Sequence, residues 1–169
     1  MLSKEMETAL NEQVNAEFYS AYLYLSMGTY FEAQNLSGFA GWMRVQFQEE
    51  QFHALKLMDY ISSRGGRVWL KAIAGPDSEW KGAQAVFATT LEHERHVSAL
   101  IHKLVKQALA ESDHATHGFL QWYVNEQVEE EATAERILHQ IKMVGESGQA
   151  LFLMDRELGK RGAVGGQQV

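Results

Sequence analysis

Cysteine is absent from this chain of 169 residues, and proline occurs only once. Without cysteine the protein can form no disulfide, no iron–sulfur cluster and no thiolate nucleophile, so any metal ion must be held by oxygen and imidazole nitrogen. With one proline and 46% hydrophobic residues, the composition argues against disorder. One compact, mostly helical domain is the default expectation.

Long apolar runs are also missing. No stretch approaches the roughly 20 apolar residues that a membrane-spanning helix needs, and the charged start MLSKEMETALNEQ lacks the apolar core of a secretory signal. The formal net charge is −7, from 22 acidic and 15 basic side chains, which disfavours binding to nucleic-acid phosphates. We therefore expect a cytoplasmic protein with no membrane or nucleic-acid partner, for which a cation is the more natural ligand.

Helical periodicity predicts four long helices, at about 3–32, 38–64, 82–110 and 114–144, with Ser3 and Asp113 as N-caps. The second and third helices are separated by the long stretch RVWLKAIAGPDSEW, as in a crossover along a bundle. The predicted fold class is all-α: an antiparallel four-helix bundle with one long crossover between helices two and three, plus a short fifth C-terminal helix.

The fifth helix corresponds to SGQALFLMDREL, and its apolar residues 151–154 are expected to be buried in an assembly of several chains. We predict one domain over residues 1–160. Residues 161–169 form a glycine-rich tail that is expected to be flexible.

Each long helix carries a carboxylate near the middle of its apolar face. These residues are Glu17 on the first helix, Glu50 with His53 on the second, Glu94 on the third, and Glu130 with Glu126 or Gln127 on the fourth. For Glu17 or Glu94 alone, a helix phase that turns the glutamate to solvent is the alternative. Burying unpaired carboxylates costs roughly several kcal/mol each, and Lys and Arg are missing from these faces. The agreement among four helices therefore favours a pair of divalent cations.

The ligand types narrow the choice of metal. Sites rich in oxygen with one nitrogen suit iron, manganese or zinc. Glu50 and His53 form a Glu-x-x-His motif, whose two side chains project from one side of a helix and can hold the same ion. On a bundle helix this motif is typical of di-iron and di-manganese carboxylate proteins.

Over about residues 1–160 the sequence closely resembles the non-haem bacterial ferritins. The resemblance lies in LNEQVNAEFYSAYLYLSM, FQEEQFHALKLMDYI, LEHERHVSALI and FLQWYVNEQVEEE. It implies a ferroxidase that oxidises Fe(II) with dioxygen or peroxide, and a homo-oligomeric shell of 24 subunits that stores the iron as a ferric mineral.

Matching motif to motif, the resemblance also implies site residues. The ligands of the paired irons would be Glu17, Glu50, His53 and Glu94, with Glu50 bridging and Gln127 and Glu130 alongside. A third iron site would use Glu49, Glu126, Glu129 and Glu130, and Tyr24 would lend an electron to oxygen. The chain differs from bacterioferritins in having Gln127 and Glu130 instead of a second Glu-x-x-His motif, and Gln51 in place of the haem-ligating methionine. No haem is therefore expected.

The sequence also allows other interpretations. A rubrerythrin-like di-iron redox enzyme is the alternative function, although rubrerythrins usually contain a four-cysteine centre that this chain lacks. A small DNA-protecting cage is disfavoured by the negative charge. Glu49 and Glu129 could belong to a solvated face, Tyr24 could be an ordinary core residue, and His93 and His96 are expected to be surface histidines.

Overall fold

The computed structural model describes residues 1–145 and 147–161, and these residues form five helices and no strand. The helices are α1 (Lys4–Ala33), α2 (Ser37–Ser63), α3 (Ala83–Ala110), α4 (His114–Val144) and α5 (Gly148–Leu158). Their ends lie within a few residues of the predicted ones, and the predicted all-α fold is confirmed. Within the described ranges, no helix is both long enough and apolar enough to cross a membrane.

Local capping explains where most of the helices begin. The Ser3 side chain accepts a hydrogen bond from the backbone N–H of Met6 at 2.9 Å, and Asp113 accepts one from Thr116 at 3.0 Å. Each cap satisfies a backbone donor that the first helical turn leaves free. Asp113 also binds Arg64 at the end of α2, at 3.1 Å, so the start of α4 is fixed to the bundle.

The long connection between α2 and α3 runs along the whole length of α1. Near one end of α1, Asn11 binds both the carbonyl of Arg67 and the N–H of Trp69. At the other end, the Tyr30 hydroxyl donates to the carbonyl of Trp80 at 3.0 Å. The connection therefore returns the chain to the end of the bundle where α2 began, and α3 starts there, parallel to α2.

The apolar core has two parts, one toward each end of the bundle. One contains Phe31, Phe39 and Phe87, and the other contains Leu10, Leu57 and Ile101, with all six side chains fully buried. Between them lies a layer of buried polar side chains, contributed by all four long helices: Gln13, Glu17, Gln46, Glu50, His53, Glu94 and Gln127. The fold thus surrounds a polar layer with apolar side chains above and below it.

Helix α5 packs against the N-terminal end of α2. The Asp155 carboxylate accepts hydrogen bonds from the N–H groups of Gly38 and Phe39, at 2.7 and 2.9 Å. Asp155 thus caps a helix whose own N-cap residue makes no side-chain hydrogen bond. Met154 is buried within the single chain, contrary to the expectation that it would need an assembly.

Two of the apolar residues predicted for burial in an assembly remain outside the single-chain core. Phe152 and Leu153 are 59% and 60% exposed, whereas Leu151 is partly buried. The predicted flexible tail begins at Arg161, whose guanidinium hydrogen-bonds to α2 side chains. The rest of that tail, residues 162–169, lies outside the described residues.

Replacing Gly38 by alanine is expected to displace α5. A Cβ at this position would lie 1.7 Å from the backbone oxygen of Asp155, and backbone cannot turn aside as a flexible side chain can. We expect a destabilisation of about 1–3 kcal/mol, the usual range for overpacking, seen as a lower melting temperature. Gly41→Ala is the matched control, because a Cβ there meets nothing within 4 Å. Equal melting temperatures for the two variants would contradict this account of α5.

Candidate metal centre

Three predicted ligands meet in the polar layer at the middle of the bundle. Glu17 comes from α1, and Glu50 and His53 come from successive turns of α2. One ligand atom from each lies within 4.8 Å of the other two, and Nδ1 of His53 lies 3.5 Å from a carboxylate oxygen of Glu50. The arrangement offers two carboxylates and one imidazole to a common point.

These acidic groups are almost completely removed from solvent. Glu17, Glu50 and Glu94 are 1%, 2% and 1% exposed. Burial, reinforced by the charge of Glu50, raises the pKa of Glu17 well above its ordinary value. Burial, together with the charges of Glu94 and Glu130, does the same to the pKa of Glu50. A metal-free site therefore retains protons that bound cations would displace.

The donor set fits a divalent cation. Gln13 donates to one oxygen of Glu17 at 2.8 Å, but the other oxygen is buried without a hydrogen-bond partner. Buried carboxylate oxygens normally have partners, so this oxygen is available as a ligand. The side-chain partners of Glu94 are Tyr24 and Gln127, and neither carries a fixed positive charge.

Glu94 faces the same layer from α3 and is held by two neighbours. The Tyr24 hydroxyl donates to one oxygen of Glu94, and Nε2 of Gln127 donates to the other at 3.0 Å. Burial raises the pKa of Glu94, and these two hydrogen bonds oppose the rise. Burial also raises the pKa of the Tyr24 hydroxyl, with the charge of Glu94 adding to the effect. Tyr24 is thus a neutral donor in direct contact with a candidate ligand.

Glu130 lies between the buried carboxylates and a more open group of acidic residues, which we call the acidic edge. The acidic edge consists of Glu49, Glu126 and Glu129. Gln46 donates to Glu130 at 2.9 Å. Burial, together with the charges of Glu94 and Glu49, raises the pKa of Glu130 to about 8. These charges couple Glu130 both to Glu94 in the buried layer and to Glu49.

The other predicted residues of the third site are more accessible. Glu126 is half-buried and Glu129 is exposed. Partial burial raises the pKa of Glu126, with the charges of Glu129 and Glu49 acting in the same direction. Glu49 forms an ion pair with Arg161 at 2.6 Å. The solvated alternative describes Glu129 best, whereas Glu49 is engaged by a cation from the same chain.

The structure adds polar residues that were not predicted as part of the site. Gln13 lies one turn before Glu17 on α1, a spacing that could have indicated its role. Gln46 lies one turn before Glu50 on the buried face of α2. Nothing in the local sequence indicates Arg161, because it lies 112 residues from Glu49 along the chain.

His93 is half-buried, so it is not the exposed surface histidine that was predicted. Its Nε2 lies 2.8 Å from the Ser20 hydroxyl, and its ring packs against Tyr19 and Tyr24. Burial lowers the pKa of His93 to about 4, so the ring is neutral near pH 7. His96 is exposed as predicted.

Comparisons with known proteins agree with this geometry. Residues 7–144 match the model of the ferritin-like domain family. A bacterial non-heme ferritin of Bacteroides fragilis is 48% identical over 161 residues, which cover 95% of this chain and all of the relative. A bacterial non-heme ferritin of Campylobacter jejuni is 41% identical over 92% of this chain and 93% of its own.

Solved structures give the same result. An open-pore ferritin from the archaeon Archaeoglobus fulgidus superposes with a TM-score of 0.94 at 52% identity, covering 96% of this chain and 99% of its own. A form of that ferritin engineered to be closed superposes with a TM-score of 0.95. The family match, the curated relatives and the shared fold together show that this chain belongs to the ferritin family.

Proposed function

We propose that the protein is an iron-storage ferritin that oxidises Fe(II) at a paired ferroxidase centre in its bundle and stores the product as a ferric mineral. The observation that carries this proposal is the meeting of Glu17, Glu50 and His53 in a buried layer, with one Glu17 oxygen unpaired. The membership of the chain in the ferritin family supports the same function.

In this proposal iron is the substrate, and each buried ligand has a role. Glu17 and His53 hold one Fe(II), Glu94 holds the other, and Glu50 bridges the two. Carboxylate oxygen is a hard anionic ligand and favours Fe(III) over Fe(II). Two adjacent Fe(II) ions can each give one electron to the same dioxygen or peroxide molecule, and the burial of the layer limits access of water to the reaction.

In this proposal Gln127 and Tyr24 set the orientation of the Glu94 carboxylate and its strength as an iron ligand. The Gln127 amide and the Tyr24 hydroxyl hydrogen-bond to its two oxygens, so they orient the carboxylate and leave it a weaker donor to iron. A weakly held second ion can move on after oxidation. We also propose that Tyr24 supplies a further electron to oxygen, and the direct contact of its hydroxyl with Glu94 supports this role.

The acidic edge offers iron a second binding region next to the paired centre. We assign Glu49, Glu126, Glu129 and Glu130 to a third iron site. The raised pKa of Glu130, which burial and the charges of Glu94 and Glu49 produce, links this edge to the pair. Oxidised iron would pass along it toward the storage cavity.

We propose that 24 copies of the chain form the storage shell. The exposed apolar side chains of Phe152 and Leu153 on α5 support assembly, because a monomer would leave them in water. Val144, which is 49% exposed, lines one surface pocket with Leu153 and extends this apolar surface.

The function is tested by adding excess Fe(II) in air to the metal-free protein. We expect ferric-oxo absorbance to develop rapidly and far more than three irons per chain to elute with a very large particle on gel filtration. Oxidation that leaves only a few irons on a small oligomer would instead indicate a di-iron redox enzyme of the rubrerythrin kind. Ferritin loaded with zinc before the iron is added serves as the control for oxidation that bypasses the centre.

A further inference from the structure

A cation from the protein itself lies at the acidic edge. Nη1 of Arg161 donates to the side-chain oxygen of Gln46 at 2.5 Å, and Nη2 donates to Glu49 at 2.6 Å. The guanidinium carbon lies 4.8 Å from the centre of the Trp42 ring, within the range of a cation–π contact. The arginine is therefore held by an amide, a carboxylate and an aromatic face.

These contacts connect Arg161 to two carboxylates proposed for the third iron site. Glu49 is bound directly, and Glu130 is reached through Gln46, which donates to it at 2.9 Å. A guanidinium at this point supplies part of the positive charge that the acidic edge needs in the absence of iron. A divalent cation bound to Glu49 would repel it at the same short range.

The fold brings Arg161 to this position through α5. Asp155 binds the first N–H groups of α2, and the backbones of α5 and α2 meet at Gly38, where no Cβ could be accommodated. Arg161 follows six residues after Asp155 and reaches the next turns of the same helix. Its side chain is 28% exposed and that of Glu49 is 26% exposed, so the ion pair remains open to exchange with dissolved cations.

We propose that Arg161 is an internal counter-ion of the third iron site. Iron must displace the guanidinium from Glu49 and Gln46 before it can bind at this site. This inference rests on the proposed function. Arg161 then determines the order of filling: the buried pair, which it does not touch, binds iron first, and the acidic edge binds iron later and more weakly. The competition keeps the edge from retaining iron that should move on to the cavity.

The test compares Fe(II) binding without oxygen to the assembled parent protein and to assembled Arg161→Ala, by calorimetry. Without the competing guanidinium, the third ion per chain is expected to bind about tenfold more tightly, equivalent to about 1.4 kcal/mol. The first two ions should bind as in the parent. Arg161→Gln, which keeps most of the side-chain length without the charge, should behave in the same way and replaces the alanine variant if that one fails to assemble.

Lys160→Ala is the matched control. It removes the same charge from the neighbouring residue, whose ion pair is with Glu157 on the exposed side of α5. We expect its third ion to bind within about twofold of the parent, since long-range effects of one exposed charge are screened by salt. An equal tightening in Lys160→Ala would overturn the proposal, because net charge alone would then explain the effect.

A second readout follows the arginine itself. Zn²⁺ is redox-inactive, and its third equivalent should change the tryptophan emission of the parent as the guanidinium leaves Trp42. The change should be absent in Arg161→Ala.

In the calorimetric test, a third ion that binds equally or less tightly in Arg161→Ala would overturn the proposal, since Arg161 would then have no effect or would orient Glu49 for binding. Failure of the first two ions to bind in the parent would overturn the proposed function itself.

Discussion

Replacing His53 by alanine is expected to lower the initial rate of Fe(II) oxidation by at least about 100-fold. Residues that only support a metal ligand already contribute about 10–100-fold, and His53 is the only nitrogen ligand in the cluster with Glu17 and Glu50. The shell should still assemble, because His53 lies inside the bundle and away from α5. The rate is measured by stopped-flow absorbance of the ferric product, and assembly by gel filtration.

His139→Ala is the control for this variant, because His139 is exposed on α4. It should oxidise iron at the parent rate. Glu94→Ala should be as slow as His53→Ala if both ions of the pair are needed. An assembled His53→Ala shell that oxidises iron at the parent rate would show that the reaction takes place elsewhere.

The metal-free protein is expected to lose stability as the pH rises. Burial and neighbouring acidic charges raise the pKa of Glu130 from 4.5 to about 8, and burial shifts Glu17, Glu50 and Glu94 in the same direction. The folded state therefore retains protons that the unfolded state releases. The stabilisation is complete below about pH 4.5 and is lost as the pH rises toward 8.

Melting curves of the metal-free protein between pH 6.5 and 8.5 measure this effect, because below pH 6.5 the lowered pKa of His93 makes an opposing contribution to stability. The melting temperature should fall across the range, and Zn²⁺ should raise it more at pH 8 than at pH 6.5, because bound cations compensate the ionised carboxylates. Glu130→Gln should make the fall less steep. Glu92→Gln, at an exposed position on α3, should keep the parent slope. A melting temperature that rises with pH in the metal-free protein would contradict the buried, uncompensated state of these groups.

Much of the fold could be predicted from local patterns. The 3.6-residue period of the apolar residues predicted the four long helices, and Ser3 and Asp113 marked two of their starts, as the structure confirms. These features depend on neighbouring residues only. The same period placed Glu17, Glu50 and Glu94 on buried faces, because burial of a helix stripe follows from its spacing.

Contacts between segments that are far apart in the chain could not be predicted from the sequence. Glu94 interacts with Tyr24 and Gln127, and helix periodicity cannot give the rotamers that form this arrangement. His93 contacts Ser20 of α1, which lies 73 residues away in the chain. The position of Arg161 depends on how α5 docks against Gly38. Such contacts are decided by tertiary packing, which no single helix pattern contains.

In the proposed function, the buried carboxylates hold a pair of iron ions. Crystals of the protein soaked in Fe(II) without oxygen, with data collected at the iron absorption edge, would locate those ions directly. Within the buried layer of each chain we expect two anomalous peaks about 4 Å apart, with Glu50 between them, Glu17 and His53 on one ion and Glu94 on the other. A single peak in this layer, at Glu17, Glu50 and His53, with Glu94 still bound only to Tyr24 and Gln127, would contradict the paired centre.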